Sequence, residues 1–222
     1  MDQRKQTRRQ RKRAATELLR SRDLRAIAEW ARRDGRIKDT LVALLYEQDE
    51  LLCWRAIEAI GRVAAVIAEA DLEPVRSLLR RLLWSMNDES GTLGWRSPEA
   101  IGEILANVPP LIDEFGVLLP AFLWEEPFER GTHWAVARVA RLRPEIYADR
   151  VDELIPSLRA EDPYIRGCAV LALGVLGAGS RVGGDAGLRD DRAGLRLYDF
   201  ESGQMCEASV GELVARVAGA KT

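Results

Sequence analysis

Cys53-Trp54-Arg55-Ala56-Ile57-Glu58-Ala59-Ile60-Gly61 carries the pattern that decides the fold: a small residue at 56, an aliphatic residue at 60 and a closing glycine at 61. The same stripe recurs in Gly94 to Gly102, Thr132 to Ala140 and Arg166 to Gly174. Ser97, Ala135 and Ala169 fill the first column, Ile101, Val139 and Leu173 the second, and Gly102, Ala140 and Gly174 the third. The closing positions lie 41, 38 and 34 residues apart, which is the period of stacked helical pairs. Two helices of about 10 to 14 residues with their turns fill that period, and each pair buries its apolar face only against a neighbour. A helix-interior glycine costs about 0.5–1 kcal/mol against alanine, so close packing of the inner helices must be what retains these residues.

The partner helices lie upstream of each stripe. Ile37, Leu41, Leu44 and Leu45, then Leu78, Leu79, Leu82 and Leu83, follow the i, i+3, i+4, i+7 spacing of an amphipathic helix. Phe115 to Trp124 and Val151 to Leu158 take the same place in the next two pairs, where Pro120 and Pro156 predict bent axes. Ser97-Pro98-Glu99 reads as an N-cap followed by proline in the first turn, so the second inner helix starts at Pro98 and ends before Pro109-Pro110.

Asp162-Pro163-Tyr164-Ile165-Arg166-Gly167-Cys168-Ala169-Val170-Leu171-Ala172-Leu173-Gly174 resembles the HEAT repeat family, in particular the HEAT-like repeats named after phycobilisome lyases. The shared signature is Asp-Pro, then Val/Ile-Arg, then Ala-x-x-Ala-Leu-Gly. The third stripe departs most, with Thr132 in the arginine column and Arg138 in the alanine column. The resemblance spans about residues 37 to 180 and implies an all-α fold, a right-handed α-solenoid of about four HEAT-like pairs. It also implies that Asp162 starts the inner helix and that Arg166 pairs with an acid of a neighbouring repeat. A binding-scaffold role follows from it, because the fold carries many functions.

Around the repeats the composition changes. Residues 1–38 hold 14 Lys and Arg against five acids, about +9, and the net charge of −2 leaves about −11 for the rest. Residues 1–13 read as a flexible basic arm, residues 14–36 as N-terminal capping helices, residues 37–180 as the repeats and the glycine-rich stretch 181–194 as a linker. Residues 195–222 read as a small C-terminal module. In it Leu195 to Phe200 and Gln204 to Ala208 form a β-hairpin about the turn Glu201-Ser202-Gly203, and Ser209 caps a last helix. The hairpin either covers the edge of the last repeat or offers a peptide-docking strand. No stretch has the length of a membrane span or the layout of a secretory signal, so a cytoplasmic protein is expected. Cys53, Cys168 and Cys206 lack C-x-x-C spacing and read as buried free thiols.

Candidate chemistry is sparse. His133 is the only histidine, which rules out a multi-histidine metal site, and no G-x-S-x-G or phosphate-cradling glycine motif accompanies it. No enzyme, cofactor or metal is expected. The six tryptophans carry more information, since three recur near inner-helix starts. Trp54, Trp95, His133 and Trp134, with Arg55, Arg96, Arg138 and Asp88, are the candidate border of a groove for a protein partner; aromatics beside arginine are hot-spot chemistry. The polar, glycine-bearing loop Ser85 to Gly94, flanked by Trp84 and Trp95, reads as a recognition loop. The competing reading makes the tryptophans core. The alternative function is nucleic-acid binding in the manner of HEAT-like DNA glycosylases, with Trp95, Trp134, Arg96 and Asp88 as the analogous group. The acidic repeat body speaks against it, because phosphate contacts need Lys and Arg along the groove.

Overall fold

Thr7, Asp23, Asp49 and Asp162 each close the first turn of a helix with a side-chain oxygen, and these caps punctuate a mainly helical chain. The computed structural model describes residues 7–87 and 94–219. The chain divides into two units, residues 1–108 with 198–204, and residues 109–197 with 205–222.

In the first unit, α1 (Arg8–Arg20) opens on a capping box, Thr7 Oγ1 accepting from the Gln10 amide and Gln10 Oε1 from the Thr7 amide. The basic run Arg8 to Arg13, expected to be flexible, is therefore helical; residues 1–6 lie outside the described set. Arg22, at φ +53°, turns the chain into α2 (Leu24–Arg33). Then follow α3 (Ile37–Leu44), α4 (Glu50–Ala68), α5 (Glu73–Met86) and α6 (Ser97–Asn107). Helix α4 is central, packed by α2, α3 and α6, and every residue from Leu52 to Gly61 is buried. A Cβ on Gly61 would lie 2.8 Å from the Glu103 carbonyl oxygen of α6, so the closing glycine marks a close helix approach. Ser97 does not cap α6. It lies inside the first turn, with its hydroxyl 3.0 Å from that of Ser85.

In the second unit the inner helices are α8 (Glu129–Ala140) and α10 (Pro163–Val175), which pack on each other. Their partners are not bent α-helices but short pieces: α7 (Ile112–Phe115) runs into a 3₁₀ turn at Gly116–Phe122, and α9 (Val151–Leu154) into another at Pro156–Arg159. Pro120 has no amide to give the Gly116 carbonyl, and the buried Tyr147 hydroxyl supplies that donor at 2.7 Å. The glycine-rich stretch expected to be an open linker forms two helical turns, α11 (Gly179–Gly183) and α12 (Ala186–Arg189), because Val182 and Leu188 are buried. Strands β1 (Gly194–Asp199) and β2 (Gln204–Ser209) pair as the expected hairpin, and Ser209 Oγ accepts from the Glu212 amide at the start of α13 (Val210–Gly219). Gly174 faces Val217 of α13, while Gly167 faces Leu195 and Leu213, so the last stripe packs on this C-terminal module. Cys206 departs from the expectation of buried thiols and is exposed, whereas Cys53 and Cys168 are buried. Among the described residues no helix is long and apolar enough to cross a membrane.

Candidate functional site

Glu58 is an acid in the buried middle of a mainly apolar helix, and it is 2 % exposed. A carboxylate there must be paired and hydrogen-bonded. Arg22 supplies Nη2 at 2.8 Å and Nε at 3.0 Å in a two-pronged ion pair, and the Tyr198 hydroxyl donates at 2.6 Å. The pairing with Glu58 pushes the Arg22 guanidinium above its ordinary value; burial, then the Glu58 bond, raises the Tyr198 phenol. Arg22 also donates to the carbonyls of Glu201, at 2.8 Å, and Phe200. Arg55 lies one position past Trp54 and binds three carbonyls: Gly203 at 3.2 Å, Leu19 at 3.3 Å and Arg20 at 2.6 Å. Gly203 holds φ +68°, and a Cβ there would lie 2.2 Å from Arg22 Cδ, so this turn favours glycine. Trp54 is 1 % exposed, stacks on Tyr198 at 5.8 Å between centroids, and has the Arg96 guanidinium 5.7 Å above its ring. These groups hydrogen-bond and stack on one another, so the cluster anchors residues 198–204.

Trp54 and Arg55 are thus interior groups and not the border of a groove. Arg96 is half-buried and pairs with Glu99 at 3.0 Å. Asp88 lies outside the described residues. Trp134 is 7 % exposed, so its ring is not offered to a base or a partner, and Arg138 is half-buried on the same helix. His133 is 1 % exposed, with Nδ1 2.8 Å from the Glu129 carbonyl and Nε2 2.7 Å from Ser157 Oγ. The carbonyl fixes the proton on Nδ1 and leaves Nε2 to accept from the serine. Burial holds this imidazole below its ordinary value, and Ser157 is itself buried. The serine–histidine pair has the tautomer of a general base without access to a substrate.

The first unit exposes a group of aromatic side chains. Trp84, in the last turn of α5, and Trp95, two residues before α6, are 68 % and 60 % exposed, and Tyr46 is 39 % exposed. They share one end of the unit. Tyr46 hydrogen-bonds Ser97, and Ser97 meets Ser85, so the neighbours of both tryptophans are tied together. Of the candidates named from sequence, only Trp95 lies on this surface. Arg22, Glu58 and Tyr198 were missed, although Glu58 in the mainly apolar stretch 52–61 is itself a signal that a buried partner must be supplied. Among the described residues no cluster of three or more His, Cys, Asp or Glu is arranged to hold a metal ion.

No family model matches the chain. It is 30 % identical over 139 residues to an uncharacterized protein of Archaeoglobus fulgidus, a match that covers 62 % of this chain and 73 % of the archaeal one.

Proposed function

The chain belongs to one family with that archaeal protein, and we propose that it is a non-enzymatic scaffold, a HEAT-like α-solenoid that docks a protein partner on the aromatic end formed by Tyr46, Trp84 and Trp95. The solenoid reading is supported within each unit by itself. The small-residue columns are buried on α4 and α6 in the first and on α8 and α10 in the second, and in each unit these inner helices pack on each other. The observation that carries the binding reading is the exposure of two tryptophan rings at one hydrogen-bonded end of the first unit, while Trp30 and Trp54 of that unit are buried. Leaving large apolar rings in water earns nothing for folding, and tryptophan is the residue most enriched at interface hot spots. The test compares wild type with Trp84→Ala plus Trp95→Ala as bait in extract of the native cell. Loss of a specific co-purifying protein, with an unchanged thermal midpoint, supports the proposal. An identical set of captured proteins refutes it.

A further inference from the structure

Helix α1 presents a line of exposed arginines. Arg9, Arg13 and Arg20 fall on one exposed strip, since positions 9, 13, 16 and 20 follow the i, i+4, i+7, i+11 spacing of a helix face. Arg13 reaches Glu17 within its own helix, and Lys12 reaches Glu47. Arg8, Arg9, Arg20 and, at the start of α2, Arg25 are exposed and have no carboxylate partner among the described residues. No acid occupies the first turn of α1, where the helix dipole already repels cations. We propose that this strip is a binding site for the phosphate backbone of double-stranded nucleic acid.

Two features favour a duplex over other polyanions. The apolar side of α1 is spent inside the unit, with Ala15 and Leu19 fully buried, so the helix has no face to lay into a lipid interface. From residue 9 to residue 20 the strip extends about 16 Å along a rigid axis. A duplex carries one charge per about 1.7 Å of its length, so this reach spans about five phosphates on the facing strand. An acidic peptide offers no such fixed spacing.

Binding of a labelled 20-base-pair duplex by the full chain is read by fluorescence anisotropy across salt. Engagement of about four phosphates gives a log–log slope near −3.6, or about a hundredfold loss of affinity between 50 and 200 mM salt. Substituting Arg9→Gln, Arg13→Gln and Arg20→Gln together should lower affinity at least tenfold and flatten the slope by about 2.7, with an unchanged circular dichroism spectrum. The control removes equal charge elsewhere, at the ion-paired and exposed Arg32, Arg80 and Arg81, and should leave the slope intact. Equal loss in the control overturns the proposal, because net charge and not the strip would be responsible. So does absence of salt-dependent duplex binding, or tighter binding to phosphatidylserine-rich vesicles or polyglutamate than to the duplex.

Discussion

Replacing Gly61 by alanine sets two opposed effects against each other at one atom. Helix propensity alone favours the change by about 0.5–1 kcal/mol, since glycine in a helix interior carries an entropic cost that alanine does not. Packing opposes it. The added Cβ would lie 2.6 Å from Asn107 Nδ2, 2.8 Å from Glu103 Cγ and 2.8 Å from the Glu103 carbonyl oxygen. The carbonyl is backbone and cannot swing aside, so α6 must back away from α4 by about half an ångström or more, loosening the buried contacts of Ile57, Ile60, Ile101 and Ile104. Overpacking of this kind costs about 1–3 kcal/mol, and the net expectation is a loss of about 0–2.5 kcal/mol. Gly35→Ala is the internal comparison. Its new Cβ meets only Ile67 Cδ1 at 4.0 Å, and the substitution should gain about 0.4–1 kcal/mol by restricting the unfolded chain. Urea unfolding followed by circular dichroism measures both. If Gly61→Ala stabilises the protein as much as Gly35→Ala does, the close approach of α4 and α6 is wrong.

Glu58→Gln leaves the Arg22 guanidinium facing a neutral amide and should cost about 3 kcal/mol, the low end for a broken buried pair because the Arg22 side chain remains 23 % exposed. Adding Arg22→Gln to that variant should cost less than Arg22→Gln does in the wild type, and a fully additive double-mutant cycle would refute the coupling. His133 is held neutral in the folded state while the unfolded chain titrates near pH 6.5. The unfolded state therefore binds more protons at lower pH, and stability should be intact above about pH 6.5 and fall as the medium is acidified below it. His133→Gln should flatten that slope in urea titrations at successive pH values. Trp54→Ala removes a ring that is 1 % exposed and should cost about 3–5 kcal/mol. Trp95→Ala, at 60 % exposure, should stay within about 0.5 kcal/mol; equal losses would contradict the assignment of one to the core and the other to the surface.

The inner helices were legible because their signal is periodic and local. Small, aliphatic and closing residues recur at fixed offsets, and the structure buries Ala56, Ser97, Ala135 and Ala169 alike. The outer elements of the second unit were misread as bent helices because proline reports a lost amide but not who replaces it. The Tyr147 hydroxyl that satisfies the Gly116 carbonyl lies 31 residues away, beyond any local pattern. The stretch 181–194 was misread for a related reason. Its glycines announce turns, while the two buried side chains that order it, Val182 and Leu188, depend on tertiary packing.

The binding surface turned on one such non-local distinction. Trp54 and Trp95 occupy the same column of the repeat, seven residues before the closing glycine, and by pattern alone they are equivalent. Their helices are not. Helix α4 starts at Glu50, so Trp54 lies one turn inside it, with Tyr198 stacked on its ring. Pro98 delays the next helix, α6 starts at Ser97, and Trp95 is left in the preceding turn, where the chain has no regular face to bury it. A proline three residues downstream thus changes the same residue type in the same column from core to surface. Deleting that difference by Pro98→Ala should let the helix extend toward Trp95 and draw its ring inward. Lower quenching of Trp95 fluorescence by acrylamide, in a variant whose other exposed tryptophans Trp84 and Trp124 are replaced by phenylalanine, would show it. Unchanged quenching would mean that neighbours other than the late helix start keep Trp95 exposed.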